Sequence, residues 1–143
     1  ASDAWVPSWL RTNRPTVRKR SLPWASPRRS AMQAGDIITI DFGMPARSGP
    51  GFERPAVVVT ADLVVAQMPR TFHVVPVTSN VRRAMATDVP VDGDGLDKNS
   101  VGQCHLLTVA EIERVKDDGG RGNVGPVTLE RMRSVIADLL DLK

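Results

Sequence analysis

The sequence predicts one small, mainly β domain of barrel type, with helices after the strands. Five short apolar segments rich in β-branched residues follow one another, and the links between them contain Gly, Pro, Asn or Asp. The last part of the chain instead places apolar residues at three- and four-residue spacing. A length of 143 residues suits one compact domain better than two.

The first two strands flank a loop. Residues 35–42, GDIITIDF, alternate in the manner of a strand, with Ile38, Ile40 and Phe42 on one parity. Residues 43–51, GMPARSGPG, concentrate glycine and proline and predict a loop. A β-rich stretch resumes with RPAVVVTADLVV, where Pro55 is tolerated because it lies among the strand's first residues.

Three more β-segments follow. The next is residues 71–80, TFHVVPVTSN, and the fourth is TDVPV, which precedes the polar turn DGDGLDKNS. SVGQCHLL is the fifth. Short links between five such segments favour a small barrel over a layered α/β sheet.

Two helices are predicted after the strands. Thr108 and Glu111 match a capping box, so the first helix should begin there and end at the glycine pair 119–120. The second should start at Thr128, shortly after a proline. Its apolar stripe, which something must cover, is formed by Leu129, Met132, Val135, Ile136, Leu139 and Leu140.

The charge distribution divides the chain near residue 30. Residues 1–30 contain seven Lys/Arg and one acid, whereas residues 31–143 contain twelve Lys/Arg and fifteen acids, and all three tryptophans are in the first part. We therefore predict a basic, Trp/Pro-rich N-terminal extension over residues 1–31 and a folded domain over residues 32–143. The extension is either upstream sequence without a role, an arm that contacts phosphates and bases, or a segment that occupies a groove of the folded domain.

Composition also predicts the compartment. No apolar run approaches the roughly 20 residues that a membrane-spanning helix needs, and no apolar stretch of the export-signal kind follows the basic residues. The single cysteine, Cys104, cannot form an internal disulfide and is expected to be a packing residue. We expect a cytoplasmic protein that does not contact a membrane.

The order of several motifs resembles that of the MazF/PemK (Kid-like) toxins of bacterial type II toxin–antitoxin systems. In chain order these motifs are GDIITIDFG, a Gly/Ser loop ending in RPAVVV, VVPVTSN, a strand of pattern S-V-x-x-C, NVGPVTLERM and the closing IADLLDL. The resemblance extends from about Met32 to Leu142. It implies an SH3-like barrel with a C-terminal helix that forms a homodimer.

The resemblance also implies a function. Toxins of this family are endoribonucleases, or mRNA interferases, that cleave single-stranded RNA at short sequences without metal or cofactor, and the C-terminal segment of a cognate antitoxin silences them. Carried onto this chain, the catalytic arginine corresponds to Arg54 and the catalytic threonine to Thr78. The residues expected to contact the substrate are Arg47, Ser48, Phe52, Glu53, Ser79 and Asn80.

The residue types suit cleavage of RNA by its own 2′-hydroxyl. A guanidinium keeps its charge at any working pH and presents a planar fork of donors to phosphate oxygens. A threonine hydroxyl can hold a phosphate oxygen or the 2′-hydroxyl but is a weak base. The sequence leaves open which groups act as general acid and base.

Structural interpretations of the same residues stand beside these. Arg54 could close its loop through an ion pair with Glu53 or Asp36. His73 and His105 could supply acid and base for RNA cleavage, but strand parity predicts that His73 points away from Thr78.

Two other functions fit the same barrel. One is a CcdB-like toxin that poisons DNA gyrase, which would not depend on Arg54 or Thr78. The other is a barrel without activity that binds RNA or antitoxin. The sequence contains no Cys/His cluster at metal-ligand spacing and no concentrated set of aspartates, so no metal site is predicted.

Overall fold

A computed structural model describes residues 32–44, 52–67, 69–80, 85–93, 96, 99–116 and 122–142. The predicted extension 1–31 lies outside these residues. So do most of the loop 43–51 and, with it, the predicted contact residues Arg47 and Ser48.

The described residues form a mainly antiparallel β sheet followed by a long C-terminal helix. The seven strands, in chain order, are β1 (Ile37–Asp41), β2 (Glu53–Val58), β3 (Thr71–Thr78), β4 (Asp88–Pro90), β5 (Val101–Gln103), β6 (Thr108–Glu111) and β7 (Val115–Lys116). A short helix α1 (Asp62–Val65) follows β2, and α2 (Gly125–Leu139) closes the chain. No helix in these ranges is long and apolar enough to span a membrane.

The segment that runs from β5 to β7 joins two edges of the sheet. β5 and β6 pair with successive parts of β3, and β7 then pairs with β1. The pairing β1–β2–β3 is therefore closed by residues 108–116. This closure encloses an apolar cluster whose buried members are Ile40, Ala56, Val58, Val65, Phe72, Val74, Ala110 and Ile112.

A second apolar cluster lies on the other face of the strands, under α2. Met132 and Leu129 of the helix pack there against strand residues of odd number, including Val57 and Val75. The valine run of β2 is thus buried on both faces, with alternate residues in the two clusters, which explains why it is continuously apolar.

Close approach of α2 to the sheet depends on a glycine. A Cβ atom built at Gly102 of β5 would lie 2.5 Å from the Met132 Cε atom and 3.2 Å from a Val75 methyl group. The absence of a side chain at Gly102 leaves room for the Met132 side chain. Arg133 also ties the helix to the end of β2, because its Nε and Nη2 donate to the Val59 carbonyl oxygen at 3.3 and 3.2 Å.

The strand predictions from sequence are confirmed for β1 and β3, and β4 and β5 lie within the predicted fourth and fifth segments. The C-terminal helix is also confirmed, although it begins at Gly125 rather than Thr128. The stretch predicted as β-rich after Val58 differs, because Asp62–Val65 forms a helical turn.

The helix predicted from Thr108 to the glycine pair 119–120 is wrong. Residues Thr108–Glu111 form β6, and a 3-10 turn over Ile112–Arg114 leads into β7. The reason is tertiary: the edge of β3 pairs with β6 over four residues, which satisfies backbone groups that a capping box would otherwise serve.

Candidate active site

The candidate site lies where β2 and β3 separate. Their ladder runs from Val58↔Val74 to Ala56↔Pro76. Beyond this point β2 stays paired with β1, whereas β3 pairs with β5 at Val77 and Thr78. We call this opening, formed by residues 53–56 and 76–78, the fork. Pro55 and Pro76 lack an N–H and cannot donate to a ladder here.

Arg54 and Thr78 stand on the two sides of the fork. Continuing the β2–β3 register by two residues beyond Ala56↔Pro76 places Arg54 across from Thr78. Both residues have the parity of Ala56 and Pro76, so by strand alternation their side chains leave the same face of the sheet. Both are half-buried.

The guanidinium of Arg54 has no ion pair or side-chain hydrogen bond with any residue that the structure describes. The two carboxylates proposed as its partners are engaged elsewhere. Glu53 pairs with Lys116, whose Nζ lies 3.3 Å from Oε1. Asp36 accepts hydrogen bonds from the Gln33 N–H and from Asn123 Nδ2, at 2.8 and 2.9 Å. Among the described residues, Arg54 therefore does not form the ion pair with Glu53 or Asp36 that the structural interpretation proposes.

Thr78 ends β3 in a tight turn. Its Oγ1 accepts a hydrogen bond from the Asn80 N–H at 3.1 Å, which fixes the hydroxyl oxygen close to the chain. Within the described ranges no acceptor takes the hydroxyl proton, so the group is available as a donor. Ser79 and Asn80 follow at exposed positions on the same side of the fork.

Phe52 lies at the base of the β1–β2 loop, two residues before Arg54. Its side chain is 63% exposed. Its φ of 58° is in the left-handed region, which residues other than glycine adopt at a cost. Two backbone hydrogen bonds hold it there: the Phe42 N–H donates to the Phe52 carbonyl at 2.9 Å, and the Phe52 N–H donates to the Gly43 carbonyl at 2.6 Å.

Sequence reasoning missed two basic residues beside the site, since it assigned them to a helix. Lys116 of β7 pairs with Glu53 across β1. Arg114, just before β7, is exposed, and its Nη1 donates to the Asp41 carbonyl oxygen at 3.4 Å. In the structure residues 109–112 alternate between exposed and buried as a strand does, but Val109 and Ala110 are both apolar, so the sequence does not display this alternation.

Neither histidine lies at the fork. His73 is exposed and points to the face opposite Thr78, as predicted, five residues earlier on β3, or about 17 Å along a strand. His105 belongs to the 3-10 turn after β5, where its Nδ1 is 3.9 Å from Asp88 Oδ1. In the described ranges, no group of three or more His, Cys, Asp or Glu side chains is arranged to hold a metal ion.

Cys104 is buried in the cluster under α2, as expected of a packing residue. Burial, together with the negative charge of Asp88, raises the pKa of its thiol from 9.0 to about 11. Cys104 is therefore protonated at neutral pH.

We expect Cys104 to resist alkylation by iodoacetamide at pH 8 while the protein is folded, because the thiolate is the reactive form. In denaturant it should react at the rate of an ordinary thiol. The contribution of this group to stability should be complete below pH 9 and lost as the pH rises toward about 11, since the folded-state pKa is the higher one. Mass spectrometry of timed reactions checks this, and rapid labelling of the folded protein at pH 8 would refute it.

Comparison with known proteins identifies a family model and several solved structures that this chain resembles. A family model described as the PemK-like, MazF-like toxin of type II toxin–antitoxin systems matches residues 33–141. No curated protein sequence matches the chain.

Several solved structures share the fold. MazF from Deinococcus radiodurans superposes with a TM-score of 0.64 at 18% identity, covering 77% of this chain and 96% of that one. The Mycobacterium tuberculosis toxin MazF-mt6 gives a TM-score of 0.61 at 24% identity, with 76% and 98% covered. A mycobacterial endoribonuclease in complex with its cognate antitoxin gives 0.60 at 19% identity, with 78% and 97% covered.

Proposed function

Because the chain belongs to the PemK-like, MazF-like toxin family of type II toxin–antitoxin systems, we propose that it is an endoribonuclease that cleaves single-stranded RNA at the fork. Arg54 and Thr78 are its catalytic residues, and no metal or cofactor takes part. The substrate-binding residues are Phe52, Glu53, Ser79 and Asn80, together with Arg47 and Ser48.

One observation carries the proposal. Arg54 is a half-buried residue whose guanidinium has no partner among the described residues, and it stands across the fork from a hydroxyl whose proton has no acceptor there. A guanidinium without an ion pair keeps its planar set of donors available for an anionic ligand. The phosphate of a single RNA strand is such a ligand, and the fork presents both groups to it from one face.

Arg54 stabilises charge rather than donating a proton. In the reaction the 2′-oxygen of the substrate attacks the adjacent phosphorus, the bond from phosphorus to the 5′-oxygen breaks, and the products are a 2′,3′-cyclic phosphate and a 5′-hydroxyl. Negative charge grows on the non-bridging oxygens during this step. Because Arg54 is paired with Ile40 in the β1–β2 ladder, its backbone is fixed beside the fork, which favours electrostatic stabilisation of this charge by the guanidinium.

Thr78 holds a phosphate oxygen. Its oxygen already accepts a hydrogen bond from the Asn80 N–H, so the hydroxyl acts as the hydrogen-bond donor to the ligand. This direction suits a phosphate oxygen, which only accepts, better than it suits removal of a proton from the 2′-hydroxyl.

Replacing Thr78 with valine keeps the shape and removes the donor. We expect the rate of RNA cleavage to fall by about 10- to 100-fold, the effect of one hydrogen bond to a charged group. The Thr78→Ser variant retains the hydroxyl and should keep most of the activity. Initial cleavage rates on a defined RNA measure the activity of both variants. Equal rates for Thr78→Val and the unmodified protein would show that Thr78 has no role in the mechanism.

The assembly and partners proposed for this chain follow from the family. The closed pairing of β1, β2, β3 and residues 108–116 supports an SH3-like barrel. We propose a cytoplasmic homodimer that is silenced by the C-terminal segment of a cognate antitoxin lying in the dimer groove. Among the structures that share the fold, a mycobacterial endoribonuclease and Deinococcus radiodurans MazF have each been solved in complex with an antitoxin.

The proposed function is tested by incubating purified protein with a long single-stranded RNA in EDTA and mapping the new 5′ ends. Cleavage at a recurrent short sequence supports it and gives the recognition motif. RNA that stays intact both with and without added metal would refute cleavage and favour the alternative of a barrel that binds RNA or antitoxin without activity. Gyrase inhibition that persists in the Arg54→Ala variant would indicate a CcdB-like toxin instead.

A further inference from the structure

Phe52 combines two features that are unfavourable for the fold. Its backbone has a φ of 58°, in the left-handed region that a bulky side chain adopts at a cost which glycine avoids. Its aromatic ring is 63% exposed and belongs to neither apolar cluster. The ring therefore gains little from packing to offset the backbone cost.

The strained backbone is held by well-formed contacts. Phe52 closes the β1–β2 hairpin through its two hydrogen bonds to Phe42 and Gly43. Gly43, which accepts the hydrogen bond from the Phe52 N–H, has a φ of 73°. The hairpin thus fixes the position of the Phe52 Cα atom, two residues before Arg54 in the sequence.

We propose that Phe52 holds the substrate by stacking on an unpaired RNA base next to the phosphate bound by Arg54. This inference rests on the proposed function and identifies the part of the substrate that lies on the loop side of the fork. An exposed aromatic face beside an unpaired cation is the combination by which proteins hold single-stranded nucleic acid, with stacking for the base and charge for the backbone. Strain retained at an exposed residue is typical of a functional site.

Three substitutions separate strain from stacking. Phe52→Leu keeps the strain and removes the aromatic face, so cleavage should fall about 5- to 150-fold, the effect of losing one stacked base, with the melting temperature unchanged. Phe52→Gly should lower cleavage equally but raise the melting temperature by on the order of 2 °C. Phe52→Trp should retain cleavage.

Met44 supplies the control. It is 84% exposed at the other end of the same loop, so Met44→Ala removes an exposed apolar side chain of that loop from a different position. Its cleavage rate should stay close to that of the unmodified protein. A loss in Met44→Ala equal to that in Phe52→Leu would mean that general loop hydrophobicity matters, and would overturn the assignment to Phe52.

The decisive experiment combines the variants with an RNA in which each base around the cut is replaced in turn by an abasic ribonucleotide. At one position the unmodified protein should lose as much rate as Phe52→Leu loses on the intact RNA, and Phe52→Leu should lose nothing further. Equal cleavage of intact RNA by both proteins, or additive losses at every position, would overturn the inference.

The outcomes also distinguish this inference from the proposed function. If the unmodified protein does not cleave RNA, the proposed function fails first. If it cleaves and Phe52→Leu cleaves equally well, only the stacking role fails. A Phe52→Leu variant whose mass by light scattering is lower than that of the unmodified protein would identify Phe52 as a subunit contact and would refute stacking.

Discussion

Replacing Arg54 with alanine is expected to lower the rate of RNA cleavage by about 100- to 1,000-fold, the usual effect of removing one preorganised donor from a site of developing negative charge. Because the guanidinium has no ion pair or side-chain hydrogen bond with described residues, its loss should leave the melting temperature nearly unchanged. Single-turnover cleavage of a defined RNA measures the first effect and thermal unfolding the second.

Two variants control for the charge and the fold. Arg54→Lys keeps the charge without the fork of donors and should have intermediate activity. Arg70→Ala removes an exposed arginine that pairs with Glu113 at 3.0 Å, and should cleave like the unmodified protein. If Arg54→Ala and Arg70→Ala lost equal activity, general attraction of RNA by positive charge would explain the result, and the role given to Arg54 would be wrong.

Replacing Met132 with alanine should lower the free energy of unfolding by about 2–5 kcal/mol. Met132 is fully buried, and its Cε fills the space that Gly102 leaves open against the sheet. Removing the side chain creates a cavity between α2 and the strands that the rigid β5 cannot close. Denaturation in urea measures the loss.

Val127 is the matched control on the same helix. It is 81% exposed, so Val127→Ala should change the free energy of unfolding by less than about 0.5 kcal/mol. A Met132→Ala variant as stable as Val127→Ala would show that α2 does not pack on the sheet as described.

The strands β1 and β3 and the helix α2 could be predicted because local pattern and tertiary environment agree in them. In β1 and directly after it, the residues Ile38, Ile40 and Phe42 pack in one cluster, as their alternation predicts, although Ile37 on the other face is buried as well. In α2 the three- and four-residue spacing matches the buried residues Leu129 and Met132, whereas Leu139 is exposed. The valine run of β2 shows no apolar/polar alternation because both of its faces are buried. Its strand was therefore predicted from its content of β-branched residues.

The segment 108–116 shows why the rest could not be predicted. Thr108 and Glu111 have the spacing of a capping box, and local sequence favours a helix start there. The backbone groups that decide the outcome belong to β3 and β1, which are distant in sequence. The error also hid Arg114 and Lys116, because placing them beside the site depends on the strand pairing of β7.

The candidate site was predicted from the resemblance and not from periodicity. The register of β2 and β3 puts Arg54 and Thr78 at corresponding positions on the two sides of the fork, and a single sequence does not specify this register. The fork exists because β3 leaves β2 to pair with β5, a contact between distant segments. Residue chemistry alone favoured an ion pair of Arg54 with Glu53 or Asp36, whereas in the structure Glu53 pairs with Lys116.

The claim that Arg54 and Thr78 serve attack by the 2′-hydroxyl of the substrate is tested most directly with two RNA oligonucleotides that contain the mapped cleavage sequence. One is all-ribose and the other carries a single 2′-deoxy nucleotide on the 5′ side of the cut. In EDTA, we expect a 2′,3′-cyclic phosphate product from the first oligonucleotide and no cleavage of the second. Cleavage of the 2′-deoxy oligonucleotide at the same bond would contradict it.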